Sequence, residues 1–536
     1  MNKEFNIDHI LERVGSFSRY QFMLMGFFCL INILCSLHYY SQTIISFVPQ
    51  YWCLTDATAN LSIHEIRKSF SHSDSDQCMA SEDVKCNEWI YDYDFLYGYK
   101  SMTSEYNWIC QNAWKSITGQ SFYFIGSVMG TLIMGILADV YGRLKVLIAA
   151  HIFGIIGNFL TIFATNEFIF AFCRLVSGIA TDNNFVMMYI LVLEYISPKM
   201  RTFGLNLCIG IFYCLGSVLS PWLAVYLQNW KLYLLATIIP AIIVPSFYFV
   251  LQDSAQWLIS KNKTDEALIC YQQIAKFNRR QLDDKFIQDF SKTVSGINSQ
   301  MKSDEEKPNL LSLFKTPRLR KLTLILFLKS MIITLNYDAI SKNVEGLSEI
   351  SPFTLFSLSS AAILPACVVI LLFQDKIGRK AMASASLLVS GIFIGCSSYL
   401  LANRNPAVFV AIGLIIGRFF ITIAYNSGAQ YATELMPTIV RAQGVAATHV
   451  AGYAFTFISP YILYTATFFN AMPSLILAAL SFCAAVCCLF LPETLNRKTP
   501  ISLAEGEEFG RGEKFFYFAC FDKAQKQNPK STSVFS

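Results

Sequence analysis

Apolar residues in this chain gather in runs of about twenty, with no long polar face to turn toward water. A helix in a soluble core is apolar on one stripe only. Runs of this length and uniformity suit helices crossing a hydrocarbon layer about 30 Å thick. Twelve are predicted: roughly 21–44, 118–138, 146–165, 168–193, 203–226, 231–251, 321–340, 353–373, 382–402, 406–430, 443–464 and 472–491. Short polar turns join them, except at about 45–117 and 252–320, where long polar stretches intervene. The predicted fold class is an all-α membrane protein of twelve transmembrane helices. Composition agrees: 15% of the 536 residues are charged and 54% hydrophobic, against about 25% charged in soluble domains.

Charge orients the chain. Residues 51–117 hold ten acidic and five basic side chains, whereas the turns at 139–145, 197–202 and 375–380 and the stretch 252–320 are rich in Lys and Arg. Basic loops stay in the cytoplasm, so 51–117 is expected outside and both termini inside. Residues 1–20 are polar and include Glu4, Asp8 and Glu12, so the first span is expected to be its own insertion signal. Cys53, Cys78, Cys86 and Cys110 fall in the outside loop. Two disulfides are expected there, with three pairings open. Asn60-Leu61-Ser62 is a glycosylation sequon on the same side, whereas Asn262-Lys263-Thr264 is expected to face the cytoplasm and stay bare.

Four marks occur twice. Gly135-Ile-Leu-Ala-Asp139-Val-Tyr-Gly142-Arg143 is echoed by Asp375-Lys-Ile-Gly378-Arg379, and Arg174 by Arg418. Glu194-Tyr-Ile-Ser-Pro198-Lys-Met-Arg201 is echoed by Glu434-Leu-Met-Pro437-Thr-Ile-Val-Arg441, and Asp253-Ser254 by Glu493-Thr494. The chain is therefore two six-span halves. The order is an N-terminal segment 1–20, a first half 21–251, a cytoplasmic linker 252–320 with helical spacing from Asp265 to Phe277, a second half 321–491 and a tail 492–536. Parallel repeats of this kind belong to secondary transporters with a site near mid-membrane. In the repeated turn, glycine permits the tight bend. A network of Asp139, Arg143, Glu194 and Arg201, and of Asp375, Arg379, Glu434 and Arg441, can lock one side of the bundle as a gate. Topology signals with static pairs are the alternative. No phosphate-binding P-loop, His-Glu-x-x-His or Gly-x-Ser-x-Gly occurs. An enzyme is not expected, nor a cofactor, a bound metal or a nucleic-acid partner.

The doubled motif resembles the major facilitator superfamily. Further stretches resemble the organic cation, anion and zwitterion transporter family that includes the carnitine transporters. These are Asp8-His-Ile-Leu-Glu-Arg-Val-Gly15, Cys86-Asn-Glu-Trp89-Ile-Tyr91-Asp92, Glu105-Tyr-Asn-Trp-Ile-Cys110, Ser254-Ala-Gln-Trp257, Asp265-Glu266-Ala267-Leu268 and Leu491-Pro-Glu-Thr-Leu495. The resemblance runs from residue 8 to about 508. One departure is Gln256, where the family pattern has arginine. The resemblance implies that spans 1, 4, 7 and 10 line the cavity. It also places Tyr453 where relatives carry aspartate for cations or arginine for anions, and Cys367 where anion transporters carry lysine.

Ionisable and polar groups inside spans are functional candidates. Those singled out for the cavity are Asn32, Ser36 and Tyr39 in span 1, Asp182 in span 4, and Lys329, Asn336 and Tyr337 in span 7. Tyr425 and Asn426 in span 10 and His449 and Tyr453 in span 11 complete the set. Tyr39, Tyr337 and Tyr425 suit a cation by cation–π attraction. Asp182 and Lys329 can pair with each other, hold opposite ends of a zwitterion, or carry a coupling proton. Arg174 and Arg418 are expected to be structural, and Asp338 to be solvated near the outer end. The expected function is a secondary-active or facilitative plasma-membrane transporter of small organic cations or zwitterions, working by alternating access in the lipid bilayer with H⁺ or Na⁺ as a candidate coupling ion. An organic anion or sugar transporter of the same superfamily is the first rival, and a transport-dead receptor or sensor the second.

Overall fold

The computed structural model describes residues 7–15, 18–55, 58–59, 61–69, 78–81, 84–196, 207–283, 287, 290, 294, 310–343, 350–437, 439–497, 499–500 and 502–519. Eleven helical stretches among them are long and apolar enough to cross a membrane. The helices used below are α1 (Arg19–Ile45), α2 (Ala113–Tyr141), α3 (Arg143–Thr161), α4 (Glu167–Gly178), α5 (Asn183–Tyr195), α6 (Cys214–Leu227), α7 (Trp230–Ala241), α8 (Thr264–Phe277), α9 (Pro317–Lys342), α10 (Pro352–Ala361), α11 (Ile363–Ile377), α12 (Arg379–Ala402), α13 (Ala407–Leu435), α14 (Arg441–Thr456), α15 (Ser459–Tyr464), α16 (Met472–Leu489) and α17 (Leu503–Glu508).

Several predicted runs are interrupted, 443–464 and 168–193 among them. The run 443–464 is α14 followed by the separate α15, because Pro460 sits in the first turn of α15. Proline has no N–H to continue the preceding helix but fits the start of a new one. The run 168–193 is α4 and α5 joined by residues 179–182, where Ala180 and Thr181 bond three residues back, to Ser177 and Gly178. The Asn183 side chain then covers the carbonyl of Ile179.

The chain forms two compact units, one of Met1–Glu305 with Val344–Ala361 and one of Glu306–Asn343 with Ala362–Ser536. In the first, α2 carries Phe122, Ile125, Met129, Leu132, Ile133 and Ile136 exposed, while Gly119, Ser121, Gly126, Ser127 and Gly130 are buried. This is the reverse of a soluble helix and fits a lipid solvent, where small residues let backbones touch. A Cβ on Gly126 would stand 2.1 Å from the Leu175 carbonyl oxygen, and one on Gly130 2.3 Å from that of Ile179. α10 packs in the same unit, with Cys214 donating to the Ser360 carbonyl and Ser357 to that of Val218. α8 buries Ala267, Tyr271, Ile274 and Ala275, one helical stripe, with Tyr20 and Tyr195 in the same core.

The loop after α1 is tied by β1 (Gln50–Cys53) paired antiparallel with a second strand, Trp89–Asp92. Disulfides join Cys53 to Cys86 and Cys78 to Cys110. Glu105 fastens its far end, accepting from Trp230 Nε1 and pairing with Lys231 Nζ, both at 2.6 Å. Asn60 and Arg201 lie outside the described residues.

Candidate functional site

Within the second unit, α9, α13 and α14 line a small, partly open cavity of about 30 Å³ toward the C-terminal end of α13. Its walls are Lys329, Ser330, Ile333 and Thr334 from α9, Tyr425, Gly428, Ala429 and Ala432 from α13, and Val445, Thr448 and His449 from α14. Each set is one helical stripe. The helices meet closely above the space because a Cβ on Gly452 would stand 2.6 Å from Thr334 Oγ1. Lys329 is 2% exposed. Its Nζ donates to the Gly428 carbonyl at 3.1 Å and lies 5.2 Å from the Tyr431 ring centroid. Among the described residues of this unit, no carboxylate is within ion-pair distance of it. His449 is exposed toward the space.

A polar and aromatic column continues along α13 beside the cavity. The Arg418 guanidinium carbon sits 3.8 Å from the Tyr337 ring centroid, and Arg418 Nη1 donates to the Tyr337 carbonyl. Tyr337 stacks on Tyr425 with ring centroids 4.7 Å apart, and the Tyr425 hydroxyl lies 3.5 Å from that of Tyr453. One face of the column is thus already covered by a protein cation. Asn426 bonds the Thr422 carbonyl, with Cys367 Sγ at 4.0 Å.

Two expectations for α9 do not fit. Asn336 is not on the cavity wall: its amide donates to Leu477 O and Ser481 Oγ of α16. At about 100° per residue, Ser330, Ile333 and Thr334 face the space. Asn336 points about 115° away from their mean direction, and only the long stem of Lys329 reaches in from that side. Asp338 is not solvated. It is fully buried, 2.7 Å from Lys342 Nζ, and it accepts from Ser459 Oγ at 2.7 Å.

In the first unit the candidate residues are dispersed. Asn32 donates to the Phe28 carbonyl of its own helix, and Ser36 Cβ would meet a Cβ on Gly216 at 3.0 Å, where α1 crosses α6. Tyr39 packs edge-on against Tyr40 and Phe124. Half-buried Asp182 is the residue before α5. A tighter constellation surrounds Arg174, which is fully buried. It donates to Asn158 Oδ1 and Ser41 Oγ and lies 4.9 Å from the Tyr123 ring. Asn158 Oδ1 also accepts from Ser177 Oγ, so its amide nitrogen faces His38 Nδ1 at 3.1 Å. His38 Nε2 lies 3.0 Å from the Ser177 carbonyl, which can only accept. Both ring nitrogens are committed, with the proton on Nε2. Sequence reasoning missed this group because Asn158 and Ser177 are ordinary residues until the fold brings them together.

The repeated turns build two equivalent clusters. Gly142 and Gly378 have φ of +99° and +98°, and a Cβ on either would collide with a carboxylate, of Asp253 or of Glu493. Asp253 Oδ1 accepts from the backbone N–H groups of Arg143, Leu144 and Ser254. Glu493 Oε1 accepts from those of Arg379, Thr494 and Leu495. Each carboxylate therefore caps the positive end of a following helix, α3 or α12. Arg143 pairs with Asp139 at 3.2 Å, and Arg379 with Asp375 at 2.9 Å and Glu434 at 3.0 Å. Ser254 donates to Glu194 and Thr494 to Glu434. Arg441 Nε donates to the Met436 carbonyl, and Gly135 has open space around its Cα.

Residues 116–460 match the family profile described as Major Facilitator Superfamily. The chain belongs to the Major Facilitator Superfamily. It is accordingly an all-α, multi-pass membrane protein. Among curated members with similar sequences, the Organic cation transporter protein of Drosophila melanogaster is 24% identical over 527 residues, 94% of this chain and 95% of its own length. The Organic cation/carnitine transporter 2 of Homo sapiens is 27% identical over 409 residues, 75% of this chain and 70% of its own length. Among solved superfamily structures, the proton:xylose symporter XylE bound to 6-bromo-6-deoxy-D-glucose has a TM-score of 0.60 at 15% identity, covering 91% of this chain and 98% of that one. The inward open conformation of XylE from E. coli has a TM-score of 0.58 at 14% identity, covering 89% and 98%. These structural likenesses concern the fold.

Proposed function

We propose that this chain is a plasma-membrane transporter that carries small organic cations or zwitterions by alternating access, with both termini in the cytoplasm. The observation that carries the reading is the cavity bounded by Lys329, Tyr425 and His449. A space between membrane-spanning helices with Lys329, Thr334, Tyr425 and His449 on its walls suits a solute site, because polar and ionisable groups inside spans are expensive and mark functional sites. The doubled turn clusters support the mechanism. Each binds the ends of several helices through capped backbone groups and ion pairs, so each half can move as a body. The relatives, named as organic cation and organic cation/carnitine transporters, support the substrate class. His449 is the histidine on the cavity wall and the candidate to carry a coupling proton.

The test is labelled uptake by cells and by proteoliposomes, with quaternary amines, amino-acid-like zwitterions, organic anions and hexoses, with and without pH and sodium gradients. Saturable uptake of amines or zwitterions is expected. Uptake confined to anions or hexoses refutes the substrate class. Saturable binding with no flux in proteoliposomes identifies a receptor instead.

A further inference from the structure

We infer that the cavity between α9, α13 and α14 is an anion subsite in which Lys329 receives a carboxylate of the transported molecule. The inference rests on the transport reading for what enters the cavity, and it narrows that reading to substrates bearing a carboxylate beside their cationic group.

Lys329 stands midway along the 26 residues of α9, about 20 Å from either end at 1.5 Å per residue, and is 2% exposed. An ammonium has three N–H donors. One goes to the Gly428 carbonyl, and no carboxylate among the described residues of the unit answers the charge. A buried cation without a partner is strongly unfavourable. Gly428 permits the arrangement, since a Cβ there would stand 3.2 Å from Nζ. The surrounding charges add to the imbalance. On α9, Asp338 is already met by Lys342. On α13, Arg418 is a second cation, and Glu434 is held by Arg379 and Thr494. On α14 the ionisable groups are Arg441 and His449, and α16 carries no charged residue. The membrane interior of this unit is therefore net positive around the space.

The other polar groups on the walls fit the same ligand. The Thr334 hydroxyl and the His449 ring make no hydrogen bond with another described residue. Both can donate to an anion, and neither supplies the negative charge that an ammonium ligand needs. Ser330 and Thr448 spend their protons on backbone carbonyls, of Thr448 and Gly444.

The experiment compares wild type with Lys329→Gln and Lys329→Arg. The probes are 4-aminobutyrate, its methyl ester and n-butylamine, together with the trimethylammonium forms of the same three. Wild type is expected to prefer the acids over the esters and amines. Lys329→Gln is expected to raise KM for the acids about 10- to 100-fold, the effect of losing a hydrogen bond to a charged group. KM for esters and amines should stay within about twofold, and Lys329→Arg should keep the preference for acids. A second readout is the thermal midpoint of the purified full chain in detergent with millimolar acid, ester or amine. Stabilisation of wild type by acids alone, lost in Lys329→Gln, supports the subsite even if no probe is transported, in which case the transport reading alone fails. Uptake of amines and esters as good as that of acids overturns the subsite and leaves the transport reading intact. If Lys329→Gln does not reach the membrane, the acid-against-ester comparison on wild type decides, and equal handling overturns the inference.

Discussion

Removing Lys342 should destabilise the second unit far more than an exposed lysine would. Its Nζ is 2.7 Å from Asp338 Oδ1, and the two side chains are 4% and 0% exposed. Lys342→Met leaves the Asp338 carboxylate buried with Ser459 Oγ as a remaining donor. Breaking one side of a buried pair costs about 3–5 kcal/mol. At about 2–4 °C per kcal/mol for a unit of this size, the thermal midpoint should fall by about 6–20 °C. Asp338→Asn should cost less, because the remaining lysine at the end of α9 can extend its stem toward water. The double variant Asp338→Asn with Lys342→Met keeps a group for Ser459 and removes both charges, so it should recover most of the loss. Fluorescence-detected size exclusion after a heating series, run on all four proteins, reads the midpoints and their non-additivity. A fall below about 2 °C for Lys342→Met, or a double variant no better than that single one, would refute the claim that these charges are buried and coupled.

Three further outcomes are expected. Asp253→Ala and Glu493→Ala each uncap a helix and strand three backbone N–H groups; each should cost about 1–3 kcal/mol, seen as a lower midpoint, and equal midpoints for variant and wild type would deny the capping role. Gly126→Leu forces a side chain against the Leu175 carbonyl and should abolish most surface expression, measured by surface biotinylation, whereas Ile125→Leu on the exposed face should not. For any transported probe, His449→Ala should flatten the dependence of uptake on pH. His38→Gln should leave the profile's shape unchanged, since both His38 ring nitrogens are already bonded within the protein; a flattened profile in that variant would contradict the assignment.

The elements that span a membrane were legible because lipid imposes one requirement, twenty apolar residues, on every span. Helix ends inside a span were less so: the predicted run 443–464 passes straight through Pro460, where the helix breaks, and the break at 179–182 depends on a local switch to three-residue bonding. The repeat marks were read from spacing alone. Their partnership was not, because the capping of Gly142-Arg143 by Asp253 joins residues 110 positions apart. On α9, spacing placed Lys329 and Asn336 on one face, yet side-chain length divides them between the cavity and α16. Asp338 was misjudged although its partner stood at i+4, the spacing that brings helical side chains together. The lining glycines and alanines of α13, Gly428, Ala429 and Ala432, have no chemistry to announce them.

The inverted build of α2 also changes how natural variation in this chain should be weighed. In a soluble enzyme, an exchange among Phe, Ile and Leu draws suspicion and a Gly-to-Ala change passes as mild. Along α2 the ranking reverses. Phe122, Ile125, Leu132 and Ile136 face outward and can trade places with other apolar residues, whereas one added methyl at Gly119, Gly126 or Gly130 meets a neighbour within 2.3 Å. The smallest residues of this helix carry the largest mutational risk.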